Sequence, residues 1–257
     1  MAFQVLSALL ALLILQAVGA AEDFSYDPCS PLGPSYWGGS CATGEQQSPI
    51  SIKPSNIQKT NLGGLQKDYT KSHAVLLNAG HEIMVNWTTS PGHLTIDGKV
   101  YHLQQCHWHS PSEHELYGKR YPLELHMVHI SSASEIAVIG VLYEFRGYSD
   151  PFLNKLKNGL NDLKSKNSVN LGYIEPPKIG EGEPYFRYSG SLTTPPCSQP
   201  VTWTVMTKVQ NVTEEQVKSL RAPVGHKDNA RPVQPINGRT VYLSKPYQKQ
   251  EEGHPSS

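Results

Sequence analysis

Three histidines on two predicted strands constrain this chain more than any other feature of its sequence. His107 and His109 lie two residues apart in a run that predicts a β-strand, and His126 lies in a second predicted strand, residues 123–130, after a polar turn. Residues two apart in a strand point to the same face, so His107 and His109 share one face. Antiparallel pairing of the two strands would bring His126 to them.

The same two-residue period assigns the neighbours of the histidines to faces. Gln105 and Leu103 are expected on the face of His107, and Cys106 and Trp108 on the opposite face. On the second strand, Glu124 shares the face of His126. Gln105 and Glu124 are therefore placed to accept the second ring N–H of a ligand histidine.

Three convergent imidazoles predict a metal site. Three neutral histidine ligands suit Zn²⁺ at a catalytic centre, because they leave the fourth tetrahedral position open for water. A single strand histidine is usually a core or surface residue, whereas His-x-His followed by a strand with Glu-x-His is a much stronger pattern. The sequence therefore predicts Zn²⁺ at His107, His109 and His126.

A cupin metal site is the competing interpretation of the same residues. The spacing from His107 through His109 to Glu113 fits the start of a cupin motif, in which the glutamate is a fourth ligand for manganese or iron. Tyr101 stands where a cupin has glycine, however, and the chain shows no convincing second half of the motif. The three-histidine interpretation is therefore favoured.

Charge and length limit the classes of partner. The chain has 257 residues, with 22 Lys plus Arg against 22 Asp plus Glu, so its formal net charge is zero. A neutral chain without a basic cluster lacks the signature of a nucleic-acid or membrane-surface protein. We therefore expect a small-molecule substrate, no nucleic acid and no membrane partner, and the oligomeric state is left open between monomer and dimer.

The N-terminus predicts secretion. Residues 4–18 form an apolar run, followed by Gly19, Ala20 and Ala21. This pattern predicts a signal peptide over residues 1–21, although no Lys or Arg precedes the run. A transmembrane anchor is the alternative, but the run is short and lacks a basic flank. The expected localisation is extracellular, or an organelle supplied through the endoplasmic reticulum.

Secretion permits disulfides and glycans. Cys29, Cys41, Cys106 and Cys197 allow three full pairings, among which spacing does not choose. Cys106 is expected to be a buried thiol, because it lies in a strand beside a ligand.

Two sequons predict N-glycosylation, at Asn86 and Asn211. Asn211 is expected at a turn and is the favoured site, whereas Asn86 lies within a predicted strand.

Alternating apolar segments bounded by Gly, Pro and Asn predict strands over most of the chain. A helix is expected at residues 151–163, capped by Asp150, and a shorter one at 213–221 with Thr213 as its N-cap. No repeat or linker divides the chain. The prediction is a mainly β single domain over residues 22–248, built on one large sheet with a few short peripheral helices, and a disordered tail at 249–257.

Seven motifs carry a family resemblance that covers residues 24–243. They are Tyr36-Trp-Gly, Gln47-Ser-Pro-Ile, Leu77-Asn-Ala-Gly-His81, Gln105-Cys-His-Trp-His-Ser-Pro-Ser-Glu-His, Leu123-Glu-Leu-His-Met-Val-His, Gly190-Ser-Leu-Thr-Thr-Pro-Pro and Asn229-Ala-Arg-Pro-Val-Gln-Pro. In this order they resemble the α-type carbonic anhydrases, especially the secreted plant and bacterial branch. The resemblance implies a large, mostly antiparallel, twisted sheet with a conical active-site cavity.

The resemblance also implies a role for each matching residue. His107, His109 and His126 would bind zinc, oriented by Gln105, Glu124 and the backbone carbonyl of Asn229. Thr193 would accept the proton of zinc-bound hydroxide and pass its own to Glu113, with Thr194 on the substrate side. His81 would be the proton shuttle and Tyr26 part of the cavity's water network. The apolar wall against which CO₂ sits would be Val128, Val138, Leu192 and Trp203, and the disulfide would join Cys41 and Cys197.

The implied activity is reversible hydration of CO₂ to bicarbonate and a proton by zinc-bound hydroxide, the reaction of a zinc lyase. Ala79 and Met84 stand where asparagines are common in fast members, so proton transfer is expected to be slower. The alternative is a non-enzymatic storage or binding protein on the same scaffold, as in the plant tuber storage proteins that have lost ligands. Retention of the three histidines, Thr193, Glu113 and His81 favours the enzyme.

Overall fold

The computed structural model describes residues 24–180 and 182–244. The predicted signal peptide and the predicted tail at 249–257 lie outside the described residues. The predicted domain, residues 22–248, is therefore described over nearly its whole length, and its exact bounds stay a prediction.

β-strands make up most of the regular structure in the described ranges. They are β1 Ser51–Ile52, β2 Ile57–Thr60, β3 Gln66–Tyr69, β4 Ser72–Asn78, β5 Ile83–Trp87, β6 Gly92–Ile96, β7 Lys99–His109, β8 Glu115–Leu116, β9 Lys119–Arg120, β10 Leu123–Ser131, β11 Ile136–Phe145, β12 Ser168–Ile174, β13 Tyr185–Gly190, β14 Val201–Met206, β15 Gln210–Val212 and β16 Val241–Ser244.

One large mixed sheet contains thirteen of these strands. Its main order is β12-β4-β5-β7-β10-β11-β14-β13-β16-β2, with β3, β6 and β15 paired beside this path, and β1, β8 and β9 form a small second sheet. Antiparallel pairs predominate, while β11 pairs in parallel with β14 and β15, and β16 with β2. The predicted mainly β fold on a large, mostly antiparallel sheet is confirmed.

The described residues form three short α-helices at the periphery, and the N-caps of the two longer ones follow from sequence. They are α1 Ser40–Thr43, α2 Pro151–Asp162 and α3 Glu214–Arg221, and 3₁₀ turns cover Pro34–Tyr36, Pro54–Asn56 and Ala222–Val224. Asp150 caps α2 by accepting the backbone N–H of Leu153 at 2.7 Å, and Thr213 caps α3 in a reciprocal pair with Gln216. In the described residues, no helix is long and apolar enough to cross a membrane.

A β-bulge separates Leu103 from the histidine face. The register of β7 against β10 shifts, so that Gln105 pairs with Val128 but Leu103 pairs with His129. The extra residue reverses the alternation, and Leu103 packs in the same core as Cys106 and Trp108. The expectation that Leu103 shares the face of the ligands is therefore wrong, because a bulge breaks the two-residue period on which it rested.

Strand β10 separates the two main apolar clusters of the core. Leu125 and Met127 pack on one face with the helix α2, whereas Val128 packs on the other face with the cluster around Trp203. His126 alternates with Leu125 and Met127, so it shares the Val128 face. The histidines therefore lie at the centre of the sheet, next to its second apolar cluster.

The cysteines divide into one bridge and two thiols. Cys41 and Cys197 form a disulfide, as the resemblance implied. Their separation of 156 residues gives a chain-entropy contribution of about 5 kcal/mol. Cys106 is a buried thiol, as predicted, and Cys29 is an exposed one.

The two sequon asparagines both lie in strands. Asn86 lies in β5, as expected. Asn211 lies in β15, paired in parallel beside Glu144, so the prediction that it sits at a turn is wrong. The three-residue strand is too short for an alternating pattern to reveal it, and glycosylation of either residue stays a prediction.

We predict that His129 makes the free energy of unfolding depend on pH. His129 is fully buried, bonded to the Ala137 carbonyl at 3.2 Å and to the Tyr69 hydroxyl at 2.7 Å. Burial lowers its pKa to about 4. Between an unfolded value near ~6.5 and about 4 only the unfolded chain binds this proton, so stability falls as pH falls, by up to about 1.4 kcal/mol per pH unit.

Urea unfolding across this pH window, with a chelator present, tests the prediction by comparing the wild type with His129→Gln. The variant keeps a polar side chain that does not take up a proton, so its stability should fall less steeply. Equal slopes for the two proteins would contradict the assignment.

Candidate metal centre

Strand pairing brings the three histidines together. His126 lies directly opposite His107 in the β7–β10 ladder. Ring centroids lie 5.0 Å apart for His107 and His109, 5.3 Å for His107 and His126, and 4.6 Å for His109 and His126. Each ring offers one nitrogen within 4.8 Å of the other two. The predicted convergence is therefore present in the structure.

An oxygen acceptor holds the other nitrogen of each ring. Gln105 Oε1 lies 2.8 Å from His107 Nδ1, the Asn229 carbonyl oxygen 2.6 Å from His109 Nδ1, and Glu124 Oε1 2.9 Å from His126 Nε2. Because each partner is an acceptor, the bonded nitrogen carries the hydrogen. The lone pairs of His107 Nε2, His109 Nε2 and His126 Nδ1 are left for a common ligand, with Gln105, Glu124 and Asn229 in their predicted positions.

The charge state of the rings fits a divalent metal. Burial lowers the pKa of His107 well below its usual value and that of His126 to about 4, so both are neutral near pH 7. His109 Nε2 is buried and has no hydrogen-bond partner among the described residues. A buried lone pair without a partner is costly, and three imidazole nitrogens match the ligand set of catalytic Zn²⁺.

Two carboxylates flank the three free nitrogens. Glu113 Oε2 lies 3.6 Å from His109 Nε2 and 3.9 Å from His126 Nδ1, while Glu82 Oε2 lies 3.8 Å from His107 Nε2. Burial lowers the pKa of His109, but Glu113 and Glu82 outweigh burial and hold it above the usual value. The site therefore favours a cation.

Glu124 fixes His126 through a buried network. Its carboxylate also accepts the backbone N–H groups of Glu113 and His114, at 2.9 and 2.8 Å, and lies 2.7 Å from His114 Nδ1. Burial raises the pKa of Glu124, but His114 and His126 outweigh it and hold the pKa well below its usual range. Gly140 faces His126 across the sheet, and a Cβ there would lie 2.9 Å from Glu124 Oε1. Glycine therefore leaves the room that this carboxylate needs.

Similarity to known proteins identifies the family. The family model for eukaryotic-type carbonic anhydrases matches residues 32–245 of this chain. Alpha carbonic anhydrase 7 of Arabidopsis thaliana is 45% identical over 244 residues, which cover 89% of this chain and 88% of that protein. The chain belongs to the eukaryotic-type carbonic anhydrase family. This membership rules out the cupin interpretation.

Dioscorins are also similar to this carbonic anhydrase family member. Dioscorin DB3L of Dioscorea polystachya is 39% identical over 262 residues, covering 97% of this chain and 95% of that protein. A crystal structure of dioscorin complexed with ascorbate has a TM-score of 0.85 at 37% identity, covering 89% of this chain and all of that chain. The structure of the α-carbonic anhydrase from Thermovibrio ammonificans with the inhibitor sulfanilamide has a TM-score of 0.78 at 36% identity. The match covers 86% of this chain and 98% of that chain.

The four residues of the predicted apolar wall lie together beside His126. Val128, Val138 and Trp203 are lateral neighbours on three adjacent strands, and Leu192 packs against the same cluster. The Trp203 ring lies 4.8 Å from that of His126. The four residues predicted to hold the substrate are thus brought together, and their contact with CO₂ stays a prediction.

Thr193 and Thr194 lie in the loop after β13. Thr193 is buried and Thr194 half-buried. Glu113 Oε1 accepts the backbone N–H of Arg231 at 2.8 Å, whereas Oε2 is buried without a partner in the described part of the chain. The structure therefore has no bond between Thr193 and Glu113, and the proton transfer expected between them stays a prediction.

Aromatic rings of the N-terminal arm surround His81. The exposed His81 ring lies 4.4 Å from that of Phe24 and 5.9 Å from that of Tyr26, which lies 6.5 Å from His109. The Tyr26 hydroxyl is buried without a partner among the described residues, and burial raises its pKa well above the usual value. Tyr26 therefore stays protonated between His81 and the ligand histidines.

Three features of the carbonic anhydrase site were not predicted. Arg231 holds Glu113 through its backbone, and its buried side chain donates to Gln47 Oε1 at 2.8 Å. His114 bridges Glu124 and the Tyr188 hydroxyl. Glu82 follows His81 directly, and this adjacency was the available signal for a cavity residue.

Gln105→Leu should lower zinc affinity by about 10- to 100-fold, because it removes the acceptor that fixes the His107 tautomer. Competition with a chelator measures the affinity. Gln104→Leu is the matched control, since Gln104 instead donates to the His102 carbonyl at 3.1 Å. Equal losses in the two variants would mean that Gln105 does not orient the ligand.

Proposed function

We propose that this chain is a zinc-dependent carbonic anhydrase that hydrates CO₂ reversibly to bicarbonate and a proton. The observation that carries the proposal is the set of three imidazoles that each offer one nitrogen within 4.8 Å of the other two, while their other nitrogens are held by acceptors. Zinc held by three histidines lowers the pKa of bound water, an effect for which carbonic anhydrase is itself the standard example.

Glu113 and Thr193 would orient the attacking oxygen. Glu113 Oε1 accepts the backbone N–H of Arg231, while Oε2 is buried and has no donor among the residues that the structure describes. If the Thr193 hydroxyl donates its one hydrogen to this Glu113 oxygen, only its lone pairs remain for other partners. Thr193 would then accept a hydrogen bond from the nucleophile. The nucleophile's own lone pair then points toward CO₂ at the wall of Val128, Val138, Leu192 and Trp203, with Thr194 on the substrate side.

His81 would carry the proton to solvent. Its ring is exposed, and Tyr26 lies between it and His109. Histidine suits this relay because its ordinary charge change falls near neutral pH. Met84, directly opposite His107 in the β5–β7 ladder, puts an apolar side chain where a polar one would order water.

Secretion is proposed as the route of this enzyme. The Cys41–Cys197 disulfide supports an oxidising compartment, outside the cell or in an organelle supplied through the endoplasmic reticulum. The N-terminal apolar run supports the same route.

A non-enzymatic storage or binding role is the second candidate. The similarity to dioscorins, one of them solved with ascorbate, favours keeping it. The retained ligand set, Glu113 and His81 support the enzyme instead. The two roles predict opposite results for turnover.

Stopped-flow CO₂ hydration on zinc-quantified protein tests the enzyme directly. We expect about one zinc per chain, with both zinc and activity lost in His126→Ala. His102→Ala, an exposed histidine on β7, should keep both. A folded wild-type protein with zinc but without turnover, or with neither, would overturn the proposal in favour of binding or storage.

His81→Ala should lower kcat by about tenfold or more in a weak buffer, because proton transfer loses its side-chain relay. The ratio kcat/KM should change little, since CO₂ hydration itself is untouched. Added imidazole should raise the variant's kcat steeply and the wild type's moderately, because of Met84 and Ala79. An unchanged kcat in His81→Ala, with His93→Ala as surface control, would exclude the relay.

A further inference from the structure

Glu82 places a carboxylate beside one of the three lone-pair nitrogens of the histidine cluster. It follows His81 and directly precedes β5, and its Oε2 lies 3.8 Å from His107 Nε2. Its side chain is 15% exposed. Among the described residues its carboxylate makes no hydrogen bond, and no Lys or Arg nitrogen lies within 4.0 Å of it.

The surroundings of Glu82 distinguish it from Glu113. Glu113 is bonded by the Arg231 N–H and faces both His109 and His126. Burial raises the pKa of Glu82, and the imidazoles of His109 and His81 oppose that shift. A half-buried carboxylate without a donor among the described residues is costly to keep ionised unless a cation compensates it, and the nearest place for a cation is between the three histidines.

We propose that Glu82 is a specificity-determining residue that repels anions from the open coordination position. The site would thereby favour neutral CO₂ and rapid loss of bicarbonate, and would resist halide-like anions. This inference rests on the proposed zinc enzyme.

The distances set the expected size of the effect. A zinc–nitrogen bond of about 2.0–2.1 Å puts the Glu82 oxygen within about 6 Å of the metal. At such separations a unit charge in a partly buried site changes the affinity for a second charge by about tenfold or more. The effect should act on charged ligands and leave uncharged ligands of the same metal unaffected.

Anion binding to the cobalt-substituted protein tests this without turnover. Visible absorption follows the titration of azide and thiocyanate, and of uncharged 1,2,4-triazole at neutral pH. In Glu82→Gln, both anions should bind about tenfold or more tightly while triazole affinity stays unchanged. Glu82→Asp, which keeps the charge, and Glu175→Gln, which removes an exposed charge, should both resemble the wild type.

Each result bears on one claim. If Glu82→Gln binds anions and triazole more tightly alike, Glu82 blocks or occupies the coordination position. If anion binding is unchanged in Glu82→Gln, the charge of Glu82 has no effect at the coordination position. Either outcome overturns the proposed repulsion of anions by Glu82, while the proposed enzyme stands if CO₂ hydration is observed. A protein that takes up no cobalt and no zinc would overturn both the proposed function and the proposed role of Glu82.

Discussion

The buried carboxylate of Glu124 is the interaction on which the rest of the site depends. It accepts two backbone N–H groups, from Glu113 and His114, and bonds the rings of His114 and His126. A buried carboxylate is stable only when its lone pairs are satisfied, so each of these partners is held in place by the cost of leaving it. Through Glu124, the loop that carries Glu113 and the strand that carries His126 share one set of hydrogen bonds.

The position of Glu124 follows from the sheet. Strand β10 lies between β7 and β11, so His126 faces His107 on one side and Gly140 on the other. Gly140 leaves space for the carboxylate where any Cβ would collide with it. The proposed metal ligands therefore lie on paired strands in the middle of a large sheet, which holds their spacing more rigidly than loops would.

The histidine site was predictable because its ligands obey a local rule. His107, His109 and His126 lie on strands, where a period of two decides the face, and the helix caps at Asp150 and Thr213 lie within a few residues of what they cap. Leu103 was misplaced because a bulge is a property of two paired strands and leaves no mark in one of them. Glu82 received no role because its importance arises from a contact with β7, a pairing that the sequence did not specify.

Arg231 links the stability of the fold to the chemistry of the site. Its buried guanidinium donates to Gln47 Oε1 and to the carbonyls of Ser48 and Cys41, while its backbone N–H donates to Glu113. Cys41 is in turn bridged to Cys197, three residues after Thr194 in the loop that also carries Thr193. A continuous path of contacts therefore runs from the disulfide through Arg231 to Glu113. The backbone N–H of Glu113 also donates to Glu124. Glu113, the residue proposed to orient the nucleophile, is therefore in contact both with Arg231 and with the strand that carries His126.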